Sequence, residues 1–161
     1  MIDITLPDGT IKQVDKNSTA MDLALSISEG LARNVLAAEV NGSVVDANLP
    51  IETSASLKLL TWNDDDGKST MWHSSAHLMA EALEQLYPGV KLAIGPPIAR
   101  GFYYDVDFCD YQISEKDLPK VEQKMKELSK RKSVFVRKEM SKSDAIKFFK
   151  EKNDPYKLES V

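Results

Sequence analysis

The spacing of apolar residues changes period along the chain, and each change marks an element. Residues 2–6, Ile-Asp-Ile-Thr-Leu, alternate apolar and polar as a half-buried strand does. Pro7-Asp8-Gly9 forms a turn, and Thr10 to Val14 runs back as the second strand of a hairpin. Ser18 or Thr19 caps a helix over Ala20 to Ser28, with Met21, Leu23, Ala24 and Ile27 as its buried face and Gly30 ending it. Val35 to Val40 reads as a strand, Asn41-Gly42 as a tight hairpin turn, Ser43 to Val45 as its return and Leu57 to Leu60 as a last strand.

A hairpin, a helix and further strands in so short a stretch predict a small mixed sheet with one helix across it. That order resembles the β-grasp fold of ubiquitin-like domains. This part contains no His, no Cys and no Gly-rich phosphate loop, so it reads as a docking or regulatory module. Asn63-Asp-Asp-Asp-Gly-Lys68 is charged and without periodicity, which predicts a linker over residues 63–68 between domains at 1–62 and 69–161.

Helical spacing begins beyond the linker. Residues 69–87 are rich in Ala, Leu, Met, Glu and Gln, with Ser69 or Thr70 to cap the start and Pro88-Gly89 to stop the helix. Trp72, Ala76, Met79, Leu83 and Leu86 form one apolar stripe, extended by Met71, Leu78 and Ala82. His73, His77 and Glu84 share the remaining face, with Ala80 small between them. Val90 to Ile94 and Phe102 to Phe108 read as strands flanking the bent loop Gly95-Pro96-Pro97 to Gly101, with Phe102, Tyr104, Val106 and Phe108 on one face. Ser114 opens a helix to about Lys130 with Leu118, Val121, Met125 and Leu128 as its stripe. Ser133 to Arg137 reads as a strand, and Ser141 caps a helix that Asn153-Asp154-Pro155 ends. Tyr156-Lys157-Leu158 starts a new element, and the chain stops at Val161 with no closing turn or cap, as if cut inside a larger protein. Taken together, the pattern is α+β.

Composition narrows the function classes. Of the 161 residues, 42% are hydrophobic, and neither a signal-peptide pattern nor a membrane-length apolar run occurs. A single Cys109 forms no internal disulfide, which fits a reducing cytosol. Net charge is −4 but uneven: residues 1–115 carry 7 basic against 17 acidic side chains, and residues 116–161 carry 14 against 8. A basic last third allows contact with a polyanion despite the overall sign, or is simply a solvated Lys-rich helix face.

His73 and His77, the only histidines, carry the candidate chemistry. At i and i+4 their imidazoles project side by side. Three readings follow: two ordinary boundary histidines, two ligands of a metal ion, or a polar pocket in which imidazoles position water and move protons. Metal ligation needs a third and usually a fourth donor, and the chain offers only Cys109 and carboxylates such as Asp105 and Asp107. Position 74 is Ser, so the zinc-protease His-Glu-x-x-His pattern is absent.

Several stretches, in order along the chain, then identify a resemblance: Ile4-Thr-Leu-Pro-Asp-Gly9, Val40-Asn-Gly42 with Val45-Asp46, His73-Ser-Ser-Ala-His77, Ala93-Ile-Gly-Pro96, Gly101-Phe-Tyr-Tyr-Asp-Val-Asp107 and Tyr156-Lys157. Together they resemble the N-terminal region of bacterial threonyl-tRNA synthetases. The first part is similar to the TGS domain, a β-grasp module, and the second to the start of an editing domain shared with alanyl-tRNA synthetases. The resemblance implies hydrolysis of seryl-tRNA wrongly formed on threonine tRNA. Threonine and serine differ by one methyl, which a pocket exploits for only ~1–3 kcal/mol, so a second, hydrolytic site is needed.

By motif match, the resemblance implies that His73, His77 and Lys157 are catalytic and that Tyr104 binds substrate. His73 would order or deprotonate water, Lys157 would stabilise charge near the scissile ester, and Tyr104 and His77 would position the substrate. It implies threonine tRNA as partner through its acceptor end, a homodimer for the full-length protein, a cytoplasmic location and no membrane. No cofactor is implied for these residues. ATP and zinc belong to a synthetic domain outside them, and the family's site is completed by a Cys-x-x-x-His segment further along. Cys109 has no His four residues later, so these residues alone are expected to be inactive. The competing readings are a non-catalytic RNA- or protein-binding module and a free-standing metallohydrolase.

Overall fold

The computed structural model describes residues 1–152 and 155–159. The chain divides into two compact units, Met1–Trp72 and His73–Val161.

The first unit is a five-stranded mixed sheet in the order β2-β1-β5-β3-β4, built from β1 (Ile2–Thr5), β2 (Ile11–Val14), β3 (Ala37–Val40), β4 (Ser43–Val45) and β5 (Ala55–Leu60). β1 and β5 run parallel; the β1–β2, β3–β4 and β3–β5 pairs are antiparallel. Alternation sets the faces: Ile2 and Ile4 point inward from β1, and Ala55 and Leu57 from β5. They pack with Ala20, Leu23 and Ala24 of α1 (Ala20–Ile27) in one core. Each such large side chain withdrawn from water contributes ~1.5–3 kcal/mol. The Asn41-Gly42 turn has φ of 50° and 80°, the left-handed pair that matches hairpin twist.

Thr19 caps α1 through a full capping box: Asp22 N–H donates to Thr19 Oγ1 at 3.0 Å and Thr19 N–H to Asp22 Oδ2 at 2.8 Å. Gly30 does not end this helix. Ser28 turns to extended backbone first, and its hydroxyl caps a separate turn, α2 (Glu29–Ala32), that contains Gly30.

The stretch expected as a linker is only briefly irregular. Helix α3 (Asp65–Leu86) starts four residues before Ser69 and takes in Asp65 to Lys68. Asp64 sets the start. Its carboxylate accepts from Thr61 N–H at 2.9 Å and pairs with Lys58 Nζ at 2.7 Å. Asp65 and Asp66 then sit at the positive end of the helix dipole. Gly67 is required by packing, because a Cβ there would stand 2.0 Å from the Thr61 carbonyl oxygen.

In the second unit the later turns of α3 carry Ala80, Leu83 and Tyr87 into a core with Val90, Leu92 and Val121. Ala80, expected between the histidines on the polar face, is thus a core residue. The strands here are short: β6 (Lys91–Leu92) pairs with β9 (Val106–Asp107), and β7 (Pro97–Ile98) with β8 (Gly101–Phe102). The strand expected over Phe102–Phe108 is therefore broken, yet its alternation survives. Tyr104, Val106 and Phe108 pack on the core while Tyr103, Asp105 and Asp107 are exposed.

Ser114 and Asp117 form a capping box at the 3-10 turn η1 (Glu115–Asp117), which leads into α4 (Leu118–Lys130). Val121 and Leu128 are buried as expected, but Leu118 in the first turn is exposed. Lys132, at φ 51°, takes the left-handed position that stops α4. Ser133–Arg137, expected as a strand, has no strand partner among the described residues, and Val134, Phe135 and Val136 are 77%, 67% and 86% exposed. An apolar, β-branched run alone makes no strand without a neighbour to complete its hydrogen bonds. Ser141 caps α5 (Lys142–Glu151), and Pro155–Glu159 form α6. Asn153 and Asp154, expected to end α5, and the terminus at Val161 lie outside the described residues.

Candidate functional site

Helix α3 delivers His73 and His77 one turn apart, and their rings meet. Nε2 of one lies 3.1 Å from Nε2 of the other, with centroids 4.6 Å apart and planes at 87°. One nitrogen must donate and the other accept, so the pair contains at least one neutral imidazole. The Phe135 ring centroid lies 6.4 Å from that of His77. Desolvation of His77 pushes its pKa below the ordinary imidazole value of 6.5, and the charges of His73 and Lys157 push the same way. This shift favours the neutral form of His77 at pH 7.

Lys157 reaches this region from α6, far along the sequence. Its ammonium donates to the Ala93 carbonyl at 2.9 Å. Beside it on α6, Tyr156 donates its hydroxyl to Asp107 Oδ2 at 3.2 Å, and Cys109 N–H donates to Asp107 Oδ1 at 2.9 Å. The Cys109 amide holds the Asp107 carboxyl below its usual range, with Tyr156 and Lys91 adding to the effect. An open cleft of about 440 Å³ is lined by Ala93, Tyr104, Asp105, Val106, Asp107 and Tyr156. Tyr104 forms one wall because Gly95 lets its ring come close. A Cβ on Gly95 would stand 2.4 Å from two carbons of that ring.

With this geometry, the comparisons with known proteins become informative. Residues 2–61 match the family model of the TGS domain. The chain is similar to the N-terminal region of bacterial threonine–tRNA ligases. It is 60% identical over 159 residues to the enzyme of Cytophaga hutchinsonii, covering 99% of this chain and 25% of that protein. It is 50% identical over its full length to the threonine–tRNA ligase of Flavobacterium psychrophilum, covering 24% of it, and 49% identical to that of Porphyromonas gingivalis, covering 25%. The chain thus spans about a quarter of the length of the curated relatives it matches.

Of the four site residues inferred from the resemblance, His73 and His77 are in contact, Lys157 donates to the Ala93 carbonyl, and Tyr104 lines the cleft with Ala93, whose walls do not include the histidines. Three contributors were not legible as such. Asp107 reads in the sequence only as a possible metal donor, Tyr156 only as the neighbour of Lys157, and the Ala93 contribution is a carbonyl. All three act between distant parts of the sequence. Gly95 carried a partial signal in the Gly95-Pro96-Pro97 run. Among the described residues no group of three or more His, Cys, Asp or Glu side chains is arranged to hold an ion. No helix among them is long and apolar enough to cross a membrane.

Proposed function

We propose that this chain is the N-terminal part of a threonine–tRNA ligase and that its second unit supplies half of a site that hydrolyses seryl-tRNA. The observation that carries the reading is the histidine pair at 3.1 Å, with the charge of Lys157 reaching His77. Residues 1–62 are then an accessory TGS module, and the editing part follows from residue 69. In hydrolysis a water oxygen attacks the ester carbonyl carbon and gives its proton to an imidazole lone pair of His73. His77, kept neutral, holds the partner tautomer and the substrate. The ammonium of Lys157 faces the developing oxyanion, the bond to the ribose oxygen breaks, and the imidazolium returns the proton to that oxygen. Tyr104 holds the seryl group in the cleft.

These residues work without a cofactor, while ATP and zinc serve a synthetic domain elsewhere in the whole enzyme. The protein acts in the cytoplasm on the acceptor end of threonine tRNA, as a homodimer when complete. The basic balance over residues 116–161 supports contact with a polyanion. A Cys-x-x-x-His segment completes the site.

The test compares deacylation of seryl- and threonyl-tRNA by this chain and by a longer protein that includes that segment. Selective seryl hydrolysis by the longer protein alone supports the reading. If neither hydrolyses the ester while both bind tRNA, the unit is an RNA-binding module.

A further inference from the structure

We infer that Asp107 and Tyr156 form a latch that positions Lys157, and that Asp107 is a positioning residue for whatever chemistry Lys157 performs. Helix α6 is only five residues long, too short to be stable by itself. It needs tertiary contacts, and two polar ones run from it to the β6–β9 ribbon and the residue following β6. Tyr156 Oη donates to Asp107 Oδ2 at 3.2 Å, and Lys157 Nζ donates to the Ala93 carbonyl at 2.9 Å.

These contacts meet one small scaffold. Asp107 ends β9, and its register partner Lys91 opens β6. Ala93 N–H donates to the Asp105 carbonyl at 3.0 Å, and Asp105 N–H to that of Ile94 at 2.9 Å. The ribbon that carries Asp107 therefore also fixes the carbonyl that receives Lys157. Asp107 is itself anchored, because its other oxygen accepts from the Cys109 amide at 2.9 Å, where Cys109 holds a left-handed φ of 51°. A carboxylate held at one oxygen presents the other in a fixed direction, so the phenol meets a defined acceptor. Tyr156 and Lys157 are adjacent, so fixing the phenol fixes the start of the lysine side chain.

The role given to Lys157 rests on the hydrolase reading; the latch does not. Two measurements separate them. The first is a carbon-13 NMR spectrum of lysine-labelled chain, with Lys157→Met identifying the Lys157 ε-methylene signal. In the native chain its two protons are expected to be inequivalent, as in a held side chain. In Tyr156→Phe, which removes one oxygen, and in Asp107→Ala they should collapse to the averaged shift of the exposed lysines. The signals of His73 and His77 should stay dispersed, showing that the unit remains folded. Persistence of the inequivalent pair in Tyr156→Phe, or an averaged signal already in the native chain, overturns the latch.

The second measurement is seryl-tRNA hydrolysis by the longer protein. Tyr156→Phe should lower kcat roughly tenfold or more with little change in KM, and should have no further effect in a Lys157→Met background. If Lys157 is freed in the spectrum but hydrolysis is unchanged, the latch stands and the catalytic role of Lys157 fails.

Discussion

Gly95→Ala tests how the cleft is shaped. The new methyl would sit 2.4 Å from Cδ2 and Cε2 of Tyr104 and 3.1 Å from Cγ. Packed carbons sit about 3.5–4.0 Å apart, so the overlap is about 1 Å at two atoms and the ring must leave its position. Overpacking of this kind costs about 1–3 kcal/mol. Gly95 is not in the left-handed region, so alanine brings no backbone strain. With the ring absent it should stabilise by about 0.4–1 kcal/mol, through the entropy of the unfolded chain.

The cycle of Gly95→Ala with Tyr104→Ala should therefore show a coupling of roughly 1.5–4 kcal/mol, far above the ~0.3–0.5 kcal/mol scatter of independent sites. Urea unfolding can be followed through the ring signals of His73 and His77, the only histidines, both in the second unit. The seryl ester should also bind more weakly to the longer Gly95→Ala protein. Equal stability loss from Gly95→Ala with and without the Tyr104 ring refutes the steric argument.

Other consequences are as direct. Gly67→Ala should destabilise the first unit by about 2–3 kcal/mol, near the upper end of overpacking, because the obstructing atom is the Thr61 backbone oxygen; Trp62 and Trp72 fluorescence reports it. Thr19→Ala should cost about 1 kcal/mol by removing the α1 cap, measured by the same denaturation. His77 should titrate below 6.5 by NMR. Because its folded pKa lies below the unfolded one, the unfolded chain protonates first as pH falls. Stability should thus decline with falling pH from the unfolded value down to the folded one and level off below it. Hydrolysis should be lost once His77 is protonated.

Much of the first unit was legible because its signals are local. Alternation in Ile2–Leu6, the Asn41-Gly42 turn and the Thr19 cap each settle their own segment. The second unit depends on partners distant in sequence. Ser133–Arg137 has strand composition but no strand partner among the described residues, so the pattern misleads. The start of α3 was misplaced because Asp64 takes its role from Thr61 and Lys58, and Gly67 from close packing. His73 and His77 were found from spacing. Lys157 and Tyr104 came through the resemblance alone, since nothing local joins residues 93, 104 and 157.

The central claim concerns the histidine pair. Its most direct test is the rate of seryl-tRNA hydrolysis by the longer protein with His73→Ala and, separately, with His77→Ala, using threonyl-tRNA as control. A general-base role predicts a loss of about 10²–10⁴-fold for His73→Ala, a clear loss for His77→Ala, and threonyl-tRNA spared throughout. Native rates of seryl-tRNA hydrolysis in both variants would contradict a hydrolytic site at this pair.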